Sequence, residues 1–499
     1  MVEKVAYILS QITESLPYLA PEFWLTGLFV ILIILDLVIK NKPQLLLWLS
    51  LIIILPVSIS LINQWQQQLS ITLFGGMLQL DNLAIFAKFL LVLALLLTLL
   101  ISVVSREPGK KHGEYYIILI PLLLGTFLMS MATNLLSVYL TIELVSISSF
   151  ILVVFRFQGA AYEAGIKYRL FGALASGIML YGMSLLYGFT GTLEFTSAVF
   201  IYNLKAIDAS LAMLAGVMVL AGLLFKLSLV PFHFWSPDAY EKAPIPVIAF
   251  LSVVPKIAAF IILYRLVGSY LAISDIFVDV QYHWVRLLAV LALASIIFGN
   301  LAALRQKNAK RMMAYSSIAH SGFMLIGLLG HAGTGLYSLF FYLTIYLFMN
   351  FAGFLGIQYL YKKTGSEEMA DYAGLGLSNP FWGVILLITM VALTGLPPTA
   401  GFSAKFFVFT SLWQSYQVSQ ESLLLVLFVA GLLNAAVSLL YYLRIPYLMF
   451  FRPQQNFEIN DNKNALETVL GIIIIFPVLF FFFKADWLYD LINHIKFAL

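Results

Sequence analysis

The feature that most constrains this chain is a succession of apolar runs, each near the roughly 20 residues that a helix needs to cross about 30 Å of hydrocarbon. Fourteen can be read, centred near residues 31, 53, 93, 124, 144, 178, 221, 258, 294, 321, 347, 397, 431 and 474. With 62% apolar and 10% charged residues among 499, the chain lacks the charge to cover an aqueous surface, for which about 25% is usual. The expected fold is an all-α polytopic membrane protein of about 14 transmembrane helices. The twelfth run is two half-length pieces around Gly395-Leu396-Pro397-Pro398-Thr399-Ala400-Gly401, and Pro231 marks the seventh, so helices 7 and 12 read as discontinuous. The N-terminal stretch carries Glu3 and Glu14 without a basic start or a small-residue cleavage site, and does not read as a removable signal peptide.

Cysteine is absent, which excludes disulfides, thiolate-held iron–sulfur clusters and a nucleophilic thiol from this chain. The histidines, His112, His233, His283, His320, His331 and His494, are scattered rather than set at metal-ligand spacing. No metal and no cofactor are expected here. Basic residues sort by connector: Lys40, Lys42, Arg106, Lys110, Lys111, Arg156, Lys167, Arg169, Lys242, Arg305, Lys307, Lys310, Arg311, Lys362, Lys363, Arg444, Arg452 and Lys463 on one side, against Lys4, Lys205, Arg286, Lys484 and Lys496 on the other. The positive-inside rule makes the first side cytoplasmic and puts both termini outside.

Five basic residues remain inside spans. Lys88 and Arg265 lie near outer helix ends and read as snorkelling to water. Lys226, Lys256 and Lys405 sit deeper, as does Glu143 near the middle of the fifth span, with Tyr139 and Ser146 on its helical face. Four such charges cost of order 10 kcal/mol before any pairing. One bland account is a buried ion pair that holds helices in register. Yet three amines and one carboxylate do not neutralise each other, and an ammonium in low dielectric gives up its proton more readily. Ser228, His233, His320 with Tyr315, Ser316, Ser317 and Ser321, and Thr394 and Ser403 beside the double-proline break add groups able to hold water or relay protons. Asp36 reads as pairing with a nearby lysine, and the remaining acids read as surface charge in connectors.

The stretch Phe225-Lys226-Leu227-Ser228-Leu229-Val230-Pro231-Phe232 is echoed by Pro397 to Phe406, each in the fourth span of a set of five. Spans 4–8 and 9–13 then read as two repeats, and an odd number of helices inverts the second copy. The resulting division is an N-terminal three-helix segment (1–114), a first five-helix repeat (115–272), a second, inverted five-helix repeat (273–445) and a C-terminal helix and tail (446–499).

Thr141-Ile142-Glu143-Leu144, Gly165-Ile166-Lys167-Tyr168, Phe171-Gly172-Ala173-Leu174-Ala175-Ser176-Gly177, Leu180-Tyr181-Gly182, Pro231-Phe232-His233-Phe234-Trp235-Ser236-Pro237, Ala314-Tyr315-Ser316-Ser317-Ile318-Ala319-His320-Ser321-Gly322 and Gly395-Leu396-Pro397-Pro398 come in one order along residues 115–445. Together they resemble the antiporter-like membrane subunits of proton-pumping NADH:quinone oxidoreductase, respiratory complex I, and most of all its N-type branch. Lys405 fits that branch, since the M-type branch places a glutamate there, and the L-type lateral helix has no counterpart after span 14. Arg169 departs from it, at a place where an apolar aromatic is more usual.

The resemblance implies roles. Glu143 and Lys226 would form a pair between spans 5 and 7, Lys256 the central relay, and Lys405 the terminal exchanging group. His320, with His233 as a second relay candidate, would help hold a water chain. It further implies a translocase subunit of a bacterial inner membrane, with NADH, FMN, iron–sulfur clusters and quinone on partner subunits. The implied neighbours are an M-type antiporter-like subunit, the small K- and J-type subunits and membrane lipids, with no nucleic acid. The alternatives are a subunit of a multisubunit sodium/proton antiporter and an inert scaffold that only docks its neighbours.

Overall fold

The computed structural model describes residues 2–39, 42–105, 113–271, 278–330, 333–453 and 465–495. Lys40, Arg106, Lys110, Lys111, His112, His331, Lys463, Lys496, the side chain of Lys4 and the repeat boundary at 272/273 lie outside the described residues. Among the described residues, thirteen helices are long and apolar enough to span a bilayer. They are α1 (Leu9–Val38), α2 (Pro43–Gln66), α3 (Asn82–Val104), α4 (Glu114–Met131), α5 (Leu135–Val153), α6 (Gly159–Thr190), α7 (Ala209–Leu227), α8 (Ile245–Tyr270), α9 (His283–Leu304), α10 (Ala309–Leu329), α11 (Thr334–Thr364), α13 (Ser422–Phe451) and α14 (Ala465–Phe483). The span between α11 and α13 is split into α12 (Pro380–Thr394) and α12b (Ala400–Ser419). After α7 the chain breaks and resumes as the short helix α7b (Trp235–Lys242). The spans and both interruptions therefore fall where the apolar runs and prolines put them.

A hairpin of β1 (Ile71–Leu73) and β2 (Leu78–Leu80), in the register Ile71↔Leu80, joins α2 to α3. Its turn places Phe74, Gly75 and Gly76 at positive φ. Three-residue strands give too little alternation to be read from sequence.

One backbone motif occurs twice. Helix α6 ends at Thr190 with Gly191 left-handed at φ +69°, and α11 ends at Thr364 with Gly365 at φ +70°. In both, the threonine hydroxyl donates to the carbonyl four residues back, from Thr190 to Leu186 at 2.7 Å and from Thr364 to Leu360 at 3.0 Å. In both, the next hydroxyl residue takes the amide two residues on, Glu194 N–H to Thr192 and Glu368 N–H to Ser366. Each turn then bonds to an asparagine-capped helix start, Leu135 N–H to the Leu193 carbonyl (2.8 Å) and Ala309 N–H to the Glu367 carbonyl (2.9 Å). The second turn touches Arg156, just beyond the far end of α5, so the two turns lie at opposite ends of the bundle.

Two expectations fail here. Lys88 and Arg265 do not reach water: both are buried. Lys88 Nζ lies 2.6 Å from Glu22 on α1. Arg265 on α8 donates to both carboxylate oxygens of Asp81 (2.9 and 2.8 Å) and to Gln79 (2.9 Å). The acids outside the fifth span are likewise not all surface charge, because Glu22, Asp81 and Glu467 are buried, the last paired with Lys362 at 2.9 Å. A carboxylate within reach neutralises an amine without requiring a route to solvent. These pairs fasten α1 and α3 to the bundle, and α14 to α11. Asp36 lies against Gly113 at the start of α4, and its nearest sequence partner, Lys40, is outside the described residues.

Breaking one partner of a buried pair leaves an uncompensated charge, at a cost of about 3–5 kcal/mol, whereas replacing both with apolar residues is often neutral. Lys88→Ala should therefore lower the melting temperature of the detergent-extracted protein strongly, and Lys88→Met combined with Glu22→Leu should recover most of the loss. Equal losses in the single and double variants would contradict the pairing.

Candidate functional site: a buried line of amines

Lys226, Lys256 and Lys405 are all buried, and each meets its surroundings differently. Lys226 is in the last turn of α7. Ser228, left-handed at φ +55°, stops that helix, and Pro231 supplies no N–H with which to continue it. The loosened backbone is covered by protein: Val230 N–H donates to Ser295 Oγ (3.0 Å) and the Trp235 indole donates to the Phe225 carbonyl (3.0 Å). Lys226 Nζ lies 5.9 and 5.8 Å from the ring centroids of Tyr168 and Phe225. It has no hydrogen-bond partner among the described residues, and the same holds for one carboxylate oxygen of Glu143 on α5. The two charges interact without direct ion-pair contact, so the geometry is that of a poised pair rather than a closed one.

Lys256 on α8 is fully engaged. Its Nζ donates to the Ser317 carbonyl (2.7 Å), to Ser317 Oγ (2.6 Å) and to Ser321 Oγ (2.7 Å), all on α10. Ser321 Oγ in turn lies 2.7 Å from the Leu227 carbonyl, to which it donates. One residue past Lys226, the broken end of α7 is thus hydrogen-bonded to the group that holds Lys256. Tyr346 OH donates to Ser317 Oγ at 2.8 Å, and Tyr240 OH on α7b is 3.4 Å from the same oxygen.

His320, one turn along α10, is held at both ring nitrogens: Nδ1 is 2.8 Å from Tyr342 OH and Nε2 is 2.9 Å from Tyr442 OH. Tyr442 also bonds Ser316, and its neighbour Tyr441 donates to Asn300 (2.9 Å). His320 lies within electrostatic range of both Lys256 and Lys405. His233 is buried in the α7 break between the rings of Phe234 and Phe298, with centroids 4.3 and 4.4 Å away. It is not among the groups hydrogen-bonded along α10.

Lys405 on α12b reaches back to the end of α12. Its Nζ donates to the Thr394 carbonyl (2.6 Å) and the Leu393 carbonyl (3.2 Å), and lies 4.7 Å from the Phe323 ring centroid. A cation there satisfies carbonyls that have no helical partner and complements the negative end of the helix dipole. Gly395 permits this. It is left-handed at φ +86°, and a β-carbon on it would lie 2.6 Å from Lys405 Cδ. A lateral cleft of about 470 Å³, lined by Phe402, Phe406, Phe409, Trp413 and Phe428, reaches Gly395 and Lys405.

This line of charges can be set beside known proteins. A family model described as NADH:quinone oxidoreductase/Mrp antiporter, transmembrane, matches residues 132–434. The chain belongs to that family. It is 36% identical to the NADH-quinone oxidoreductase subunit N of Chlorobium chlorochromatii, over 97% of this chain and 95% of that one. A chain of respiratory complex I from Thermus thermophilus aligns at a TM-score of 0.78 with 29% identity, covering 94% of this chain and 98% of that one. A chain of the Mrp complex from a Dietzia species shares the fold, at a TM-score of 0.82 and 18% identity over 96% of each chain.

Within this family member, Lys226, Lys256, His320 and Lys405 are buried and Glu143 is half-buried, with Lys256 bonded to Ser317 and Ser321 on the helix that carries His320. The sequence reading missed Tyr240, Tyr342, Tyr346 and Tyr442. On a helix that is apolar throughout, a tyrosine is indistinguishable from an aromatic core residue until its hydroxyl is seen to meet a partner.

Gly365 and Gly395 are both left-handed, but a β-carbon meets nothing within 4 Å at Gly365. Alanine should cost about 1–2 kcal/mol for backbone conformation at either position, with about 1–3 kcal/mol more for crowding at Gly395. Thermal unfolding should rank Gly395→Ala clearly below Gly365→Ala. Equal destabilisation would mean that Lys405 is not packed on Gly395.

Proposed function

We propose that this chain is the N-type proton-translocating subunit of a bacterial NADH:quinone oxidoreductase, and that Glu143, Lys226, Lys256, His320 and Lys405 carry its protons. The observation that carries the reading is the succession of polar groups from the Glu143/Lys226 pair, past the Ser321–Leu227 bond, to Lys256 and Ser317 and on toward His320 and Lys405. Lys226 Nζ and Glu143 Oε1 are buried polar atoms with bonding capacity to spare, the condition under which ordered water is bound. Movement of the Glu143 carboxylate toward or away from Lys226 would change the proton affinity of the amine by Coulomb interaction in a low dielectric. Lys256 would receive the proton through the Ser321 contact, and Lys405 would exchange it at the α12 break.

The names of the relatives support a place among the membrane subunits of such a complex, where the neighbours would be an M-type antiporter-like subunit and the small K- and J-type subunits. NADH, FMN, iron–sulfur clusters and quinone would be handled by partner chains, and the basic connectors favour an inner-membrane orientation with both termini periplasmic. The doubled Thr-Gly turn, at opposite ends of the bundle, supports division into two inverted five-helix repeats, 115–272 and 273–445, flanked by 1–114 and 446–499. The family model's description also covers Mrp antiporters. That alternative predicts sodium-dependent proton exchange without quinone reductase activity in the purified complex.

Lys226→Ala or Glu143→Ala should lower proton pumping and coupled quinone reduction several-fold in membrane vesicles while the complex still assembles. Normal pumping with Lys226→Ala would sink the reading.

A further inference from the structure

At the end of the bundle where the basic connectors gather, a carboxylate does something the turn around it does not require. Glu367 lies in the second copy of the Thr-Gly turn, where its backbone carbonyl accepts from Ala309 N–H. In the first copy the residue whose carbonyl makes the matching bond is Leu193. The turn therefore forms without a charge at this position, and the side chain of Glu367 has a separate use.

That side chain gathers three donors. Its Oε1 lies 2.8 Å from Lys310 Nζ and 3.0 Å from Arg156 Nη1, and its Oε2 accepts from Asn308 Nδ2 at 3.2 Å. Lys310 is fully buried in the first turn of α10, where the helix dipole disfavours a cation, so a carboxylate partner is needed to hold it. The same ammonium donates to the Ala243 carbonyl (3.1 Å), just before α8 begins. Arg156 lies three residues beyond α5.

One carboxylate thus ties together three of the helices that carry the path: α5 with Glu143, α10 with Ser317, His320 and Ser321, and, through Lys310, the start of α8 with Lys256. We propose that Glu367 is a positioning residue for proton transfer, a clasp that fixes α5 and α10 against one another and so sets the distance of Glu143 from the Lys226 end of α7, which Ser321 holds to α10 through the Leu227 carbonyl, and the Ser317/Ser321 contacts of Lys256. The inference rests on the proton path proposed above. The clasp touches none of the proton-carrying groups and acts through helix placement alone. Helices joined through a shared buried ion cluster move together, and loosening it shifts the relative position of groups further along each rigid element.

The test is made on the whole complex in sealed membrane vesicles, measuring protons pumped per NADH oxidised beside the quinone reductase rate. Glu367→Leu copies the residue already present in the other turn, and Glu367→Gln keeps the shape while removing the charge. Both should leave assembly and electron transfer intact while the proton yield falls by about two-fold or more. Lys310→Met should shift the yield in the same direction. A residue that only stabilised the fold would lower the amount of complex, not its yield per electron. Unchanged yield in either assembled Glu367 variant, or loss of assembly in both, would overturn the proposal. Lys226→Ala, run alongside, separates the two ideas: pumping lost there but kept in the Glu367 variants removes the clasp and leaves the path standing, whereas pumping kept in all of them removes the path.

Discussion

An ammonium inside a bilayer must find acceptors, and the architecture follows from how that demand is met. Three lysines solve it three ways. Lys256 takes a carbonyl and two hydroxyls from one neighbouring helix. Lys405 takes carbonyls that a helix break has released. Lys226 takes none among the described residues, and has aromatic faces and the field of Glu143 instead. Broken helices are costly in hydrocarbon unless their free backbone groups are covered. Here the covering groups, Ser295, Trp235 and Lys405 itself, include one of the charges that the break accommodates.

The doubled turn adds a second level of order. The same threonine, glycine and hydroxyl residues build the same hydrogen bonds at opposite ends of the bundle, yet one copy carries Leu193 and the other Glu367 at the equivalent carbonyl. Equal backbones with unequal side chains separate what the fold needs from what has been added to it. The addition falls where α5, α8 and α10 begin or end, and there the Glu367 carboxyl is held below the usual carboxylate range. Burial pushes it up, but the Lys310 ammonium and the Arg156 guanidinium outweigh that effect. The clasp is charged at neutral pH. Because the folded pKa is depressed, its contribution is present above the unfolded carboxylate pKa and is lost as pH falls through the folded value.

Much of this was legible in the sequence. Apolar runs of membrane length gave the spans, Pro231 and the Pro397-Pro398 pair gave the interruptions, and the isolated charges Glu143, Lys226, Lys256 and Lys405 stood out against aliphatic neighbours. What was not legible depends on which helices meet. Lys88 read as snorkelling because it lies near the outer end of its helix, whereas its partner Glu22 is one span and a hairpin away. Arg265 and Asp81 lie further apart still. A hydropathy pattern prices each charge alone, and a pair that forms only on packing is invisible to it. The tyrosines around His320 were missed for the complementary reason, since their rings obey the apolar pattern and only their hydroxyls depart from it.

Those hydroxyls matter for how a proton could pass His320 on the proposed path. An imidazole with one donor and one acceptor nitrogen satisfies two tyrosines only if one phenol accepts and the other donates. Tyr342 and Tyr442 can each do either, so both tautomers of His320 are satisfied by the same heavy-atom positions. Exchange between them needs a proton taken up at one ring nitrogen from one phenol and given up at the other nitrogen to the second phenol, with reorientation of O–H bonds and no movement of helices. A relay flanked by fixed donors, such as backbone amides, would be locked in one tautomer and would have to be pulled out of place to pass a proton on. Within the field of Lys256 and Lys405, a histidine with two reversible partners can take a proton on one nitrogen and release one from the other, which is the property that a relay on the proposed axis would require.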